Sequence, residues 1–149
     1  MNEFDLIARY FSRPVRTAPL GVGDDCAILA PTPGCELLVS KDLLVEHRHF
    51  FADVDPVALG HKTLAVNLSD IAAMGGRPIA VVDAIWSAGA TQAHPILEGM
   101  AAASVAYGVP IVGGHSNYQA ANGQLAVAVL GRAKALLSSF AAQDGDELL

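Results

Sequence analysis

The 149-residue chain predicts an α+β fold, a mixed sheet with two crossover helices on one face. Three observations carry this expectation. Two separate stretches space their apolar residues at helical intervals, short apolar runs lie before, between and after them, and Gly, Pro, Asn and Asp divide each element from the next. The order is strand, strand, helix, strand, helix, strand, strand.

Residues 2–11 predict a short amphipathic helix with Phe4, Ile7, Ala8 and Phe11 on one side. An arm with Arg13, Pro14, Arg16 and Pro19 follows, and a mobile loop is expected there and through Gly21-Val22-Gly23. Cys26–Ala30 and Glu36 to about Val45 read as strands divided by the turn Pro31-Thr32-Pro33-Gly34. Asp55-Pro56 starts a helix, because Asp caps free amides and Pro tolerates the first helical position. Leu64, Leu68 and Ile71 then form its apolar face, widened by Ala65 and Ala72, before Gly75-Gly76 and Pro78 end it. Thr63, Asn67 and Asp70 line up on another face. Ile79–Trp86 is apolar on both sides and reads as a central strand. A second helix is expected from about His94 to Tyr107, closed by Gly108 and Pro110. Pro110–Val112 reads as a short strand running into a polar turn, Gly113-Gly114-His115-Ser116-Asn117. Asn122-Gly123 has the composition of a two-residue hairpin, with Gln124–Arg132 as the returning strand.

At 15.4 kDa and 52% apolar, one domain of this length buries roughly 70% of the surface its unfolded chain exposes. No disulfide or structural metal is required. A net charge of −6 argues against a nucleic-acid-binding face, which must be basic, yet leaves nucleotide binding through metal ions open. Cys26 and Cys35 do not have the C-x-x-C spacing of zinc or redox sites and read as reduced thiols of a cytoplasmic core. The charge-free run between Glu98 and Arg132 is broken by Pro110, Gly113, Gly114, His115, Asn117 and Asn122, so no membrane span is expected. The N-terminus alternates charged and apolar residues, unlike a signal peptide. Two helices cover one side of a sheet whose strands are apolar on both. A second copy of the chain is the simplest cover for the other side.

Asp24, Asp25, Asp42 and Asp70 each lie where a strand or helix gives way to a polar turn. They read either as ordinary turn and cap residues or as a converging cluster whose repulsion a cation offsets, with Mg²⁺ the natural cation for hard carboxylate oxygens. Gly21-Val22-Gly23 and Gly113-Gly114 mark turns or present amides to phosphate, although no P-loop is present. His47 and His49 are spaced to share a strand face, without a third ligand at zinc spacing. His115, beside Ser116 and Asn117, is the histidine best placed for function. There is no G-x-S-x-G and no H-E-x-x-H.

Taken in order, EFDLIARYF, GVGDDCAIL, SKDLLVEHRHF, DPVALGHKTLAVNLSDIAAMGGRP and IVGGHSN resemble the N-terminal domain of one enzyme superfamily. It contains thiamine-monophosphate kinase, aminoimidazole ribonucleotide synthetase and selenophosphate synthetase, and the kinase is the nearest likeness. The resemblance implies an ATP-dependent enzyme in which Mg²⁺ links carboxylates to nucleotide phosphates. By position, Asp25, Asp42 and Asp70 would be metal ligands, with Asp24 beside them and Ser40 adding an oxygen. Gly23, Lys41, Asn67, Gly113, Gly114 and His115 would lie on the nucleotide and phosphate side, and His49 on the side of a small phosphorylated or alcohol substrate. The open face of the sheet would pair with a second subunit into a β-barrel. Residues 1–23 would form a helix and arm, 24–143 the domain proper, and 144–149 the start of a C-terminal domain that the chain lacks.

Three departures accompany the likeness. Gly113-Gly114-His115 replaces the G-G-D of the kinase, removing a carboxylate, and is closer to the G-G-H-T of selenophosphate synthetase. Ser40-Lys41-Asp42 replaces S-T-D, adding an ammonium. Leu137-Ser138-Ser139-Phe140 lacks the kinase's ATP-contacting Arg. The alternatives are a ribonucleotide-synthetase or selenophosphate-synthetase type of ATP-dependent enzyme, and a dimerisation module without turnover.

Overall fold

The computed structural model describes Asp5, Arg9 and residues 32–138 and 142–147. Asp5 and Arg9 are both helical. The rest of the expected first helix, the Gly21-Val22-Gly23 loop, the Cys26–Ala30 strand, Asp24 and Asp25 lie outside the described residues.

The elements run β1 (Glu36–Val45), α1 (Pro56–Ala73), β2 (Arg77–Trp86), α2 (Ala90–Tyr107), β3 (Ile111–Asn117) and β4 (Gln124–Ala133). The sheet order is β1-β4-β2-β3, with β4 antiparallel to both neighbours and β2 parallel to β3. β1, β2 and β3 therefore all point the same way. Both helical crossovers advance in one direction across the sheet, and their common right-handedness puts both helices on one face.

Local chemistry accounts for most boundaries. The Asp55 carboxylate accepts from the amides of Val57 at 3.1 Å and Ala58 at 3.4 Å, and Pro56 opens α1. Leu59, Leu64, Leu68 and Ile71 of α1 are buried with Ile96, Leu97 and Met100 of α2 and Val81, Ile85, Leu125, Val127 and Val129 of the sheet. Gly108 ends α2 in the left-handed conformation at φ 65°. The two helices meet backbone to backbone: a Cβ on Gly60 would run into the Ile96 carbonyl, and one on Gly99 into the Val57 carbonyl.

Five expectations are corrected. Gly113-Gly114-His115 is extended chain inside β3 and pairs with β2; Gly114 admits a close neighbour, the Asp83 side chain, and the pair does not turn the chain. Asn122-Gly123 makes no hairpin, since β4 inserts between β1 and β2 and never pairs with β3. The second helix begins at Ala90, four residues early, and carries Pro95 in its interior. His47 and His49 lie in the turn after β1 and not on a strand, with His47 at φ 63°. Cys35 is a free thiol, half-buried just before β1 and outside the core.

The face opposite the helices is largely apolar, with Lys41 of β1 also on it. Leu37, Val39, Leu43, Val82 and Trp86 are exposed there; Val39, Val82 and Leu43 stand opposite Leu130, Ala128 and Ala126 of β4, and Leu37 and Trp86 opposite Arg132 and Gln124. Among the described residues no helix is long and apolar enough to cross a membrane.

Candidate functional site

The polar residues of α1 and β1 converge where the helix crosses the edge strand. Thr63, Asn67 and Asp70 recur at three- to four-residue intervals, so the helix turns them to one side. Thr63 and Asn67 are buried there. The Thr63 hydroxyl donates to the Leu59 carbonyl at 2.7 Å, and the Asn67 amide donates to the Thr63 carbonyl at 3.2 Å. That leaves Asn67 Oδ1 facing β1, where it accepts from the Asp42 amide at 2.9 Å. One turn further along the helix, Asp70 Oδ2 accepts from the Ser40 hydroxyl at 2.6 Å.

Alternation along β1 sends Ser40 and Asp42 toward the helices and Lys41 to the other face, where it is exposed opposite Ala128. Ser40, Asp42, Asn67 and Asp70 thus form one seam of hard oxygen donors, the donor chemistry that Mg²⁺ prefers. The described residues contain no cluster of three or more His, Cys, Asp or Glu able to hold a metal. The seam supplies two carboxylates and a hydroxyl, and Asp24 and Asp25 lie outside the described residues.

The remaining sequence candidates lie elsewhere. His49 is exposed in the turn after β1, where its Nδ1 accepts from the Val45 amide at 3.0 Å and its carbonyl from Lys62 Nζ at 2.9 Å. Next to it, Phe50, Phe51, Leu59, Trp86 and Ile96 line a small apolar cavity of about 110 Å³. Gly113, Gly114 and the exposed His115 lie on β3, at the opposite edge of the sheet from β1. Three strand spacings, roughly 14 Å, separate them from the seam.

Asp83 went unnoticed in the sequence. It is the single charged residue between Pro78 and Glu98, and that isolation inside an apolar strand was the available signal. Its side chain is buried on the helix side of β2, directly opposite Gly114, whose Cβ would collide with the carboxylate. Burial pushes the carboxyl up to about 7, offset in part by a hydrogen bond from the backbone.

A mixed four-stranded sheet with two same-side crossover helices and a polar seam at its edge defines an α+β domain. The chain belongs to the family described as AIR synthase related protein, N-terminal domain, which matches residues 23–133. It is 48% identical over 128 residues to the uncharacterized protein sll0787 of Synechocystis, covering 86% of this chain and 38% of that protein. It is 54% identical over 81 residues to thiamine-monophosphate kinase of Escherichia coli K12, covering 52% of this chain and 25% of the kinase. Among solved structures, thiamine-monophosphate kinase of Stenotrophomonas maltophilia matches with a TM-score of 0.70 and 30% identity, covering 87% of this chain and 40% of that one. The chain therefore spans less than half the length of each.

Proposed function

We propose that this domain binds ATP through Mg²⁺ as part of a phosphotransferase of the thiamine-monophosphate-kinase type. The observation that carries the reading is the seam itself: Ser40 bonded to Asp70 and Asp42 bonded to Asn67 across 30 and 25 residues of sequence. Similarity to thiamine-monophosphate kinases supports it from an independent direction.

Asp42 and Asp70, with Ser40 and, by the family resemblance of the GVGDD block, Asp24 and Asp25, are the residues that would hold the metal. Bound there, Mg²⁺ would neutralise charge on the transferred phosphoryl oxygens. Phosphoryl transfer asks little covalent help of the protein, so the task of these side chains is placement. Asn67 fixes the β1 backbone at Asp42, and Ser40 orients one oxygen of Asp70. We assign the acceptor to the His49 side, where the apolar cavity between Phe50 and Trp86 can take an uncharged part of a small phosphorylated substrate. Turnover belongs to the assembled enzyme, with a second domain completing the nucleotide site.

ATP with Mg²⁺ is expected to raise the melting temperature, worth about 2.7 kcal/mol at a hundredfold excess over Kd. Asp70→Asn is expected to abolish that shift; an undiminished shift in the variant removes Asp70 from the site.

We also propose a homodimer closing over the exposed face of Leu37, Val39, Leu43, Val82 and Trp86, which in a monomer remains in water. Light scattering at micromolar concentration should give twice the chain mass, and Val39→Asp should give the single mass. A monomeric wild-type protein defeats this assembly while leaving the nucleotide reading standing.

A further inference from the structure

A second polar site lies where β1 starts and β4 ends. Arg77 opens β2 and stands directly opposite Arg132 of β4, and Lys134 follows two residues on. Like charges facing each other across a ladder destabilise it unless something offsets them. None of the three makes an ion pair with a described carboxylate. The nearest acidic residue in the ladder, Glu36, is paired with Ala133. Arg132 Nη1 donates to Thr32 Oγ1 at 2.9 Å, which holds one edge of the guanidinium and leaves its other N–H groups available. The three cations line an open cavity of about 520 Å³ with Thr32, Cys35 and Gly75. Three positive side chains gathered in one hollow of a chain of net charge −6 are not an effect of overall composition.

We propose that this cavity binds the phosphate group of a small molecule, as a monoester or a diphosphate. Guanidinium forks match phosphate oxygens in pairs, and three cations balance a doubly or triply charged anion where a carboxylate would leave two unneutralised. The volume is that of a small-molecule site, larger than bare phosphate needs. No metal is involved, which separates this site from the seam of Asp42 and Asp70.

Calorimetric titrations in EDTA at low ionic strength, with AMP and with inorganic pyrophosphate, test the assignment while the carboxylates have no metal through which to hold an anion. Saturable binding is expected, weakened about tenfold or more by Arg132→Gln or Arg77→Gln and unchanged by Asp70→Asn. Tighter AMP binding assigns a monoester, and tighter pyrophosphate binding a diphosphate. Arg77 is exposed, so its variant keeps the test valid if loss of the Arg132–Thr32 bond impairs folding. Absence of saturable binding by either probe, full affinity in the folded arginine variants, or loss of binding in Asp70→Asn overturns the proposal. The Mg²⁺-ATP shift is read separately, so either site can fail without the other.

Discussion

Asp83→Asn will stabilise the protein at pH 8 and leave it nearly unchanged near pH 4. The carboxyl titrates at about 7 in the folded chain against 3.8 for the unperturbed group. Between those values the folded state retains a proton that the unfolded state releases, so stability falls as pH rises. The contribution is fully present below about pH 4 and fully lost once the pH passes 7. At 1.36 kcal/mol for each pKa unit, the loss amounts to about 4 kcal/mol. Asn keeps the shape and removes the charge, so the variant should lack this decline. The readout is the difference in unfolding free energy between variant and wild type at several pH values, which cancels every other titrating group. A difference that stays flat from pH 4 to 8 would show that Asp83 ionises normally.

Gly99→Ala should cost about 3 kcal/mol, or roughly 10 °C in melting temperature. The added methyl meets the Val57 carbonyl, a backbone atom that cannot rotate aside, so α1 and α2 must separate. Separation loosens Ile96, Leu97 and Met100 against Leu59 and Leu64. Gly60→Ala strikes the same seam from the other helix, against the Ile96 carbonyl. Once the helices have parted, the second methyl costs less, so the double variant should lose less than the sum of the singles. A Gly99→Ala protein melting within about 1 °C of wild type would mean the helices are not in backbone contact.

Legibility followed the range of the signal. β1, the Asp55 cap, the buried face at Leu64, Leu68 and Ile71 and the Gly108 stop all depend on neighbours within a turn or two, and all were readable. The polar line Thr63-Asn67-Asp70 was readable for the same reason, since helical period alone puts these residues on one side. What lay across the sheet was not. Asn122-Gly123 has hairpin composition, but composition cannot reveal that β4 pairs with a strand some ninety residues earlier. The glycines of β3 looked like a turn because the group that requires Gly114, Asp83, comes from another strand. Lys41 could have been assigned to the far face from alternation alone, though its neighbours Ser40 and Asp42 suggested company at the seam. Arg77 and Arg132 are 55 positions apart in the chain, and only the register makes them a pair.

The strand order has a consequence for how the chain is made. Of the four described strands, β4 leaves the ribosome after the others and is the one that joins β1 to β2. At about 5–20 residues per second, β1 waits roughly 4–18 s for its partner. During that interval the β1 edge that takes β4 is unpaired, and Leu44, buried in the folded sheet, stands open to other nascent chains along with the exposed Leu37, Val39 and Leu43. Such a topology makes folding slow relative to a helical bundle and places the burden of avoiding aggregation on synthesis itself.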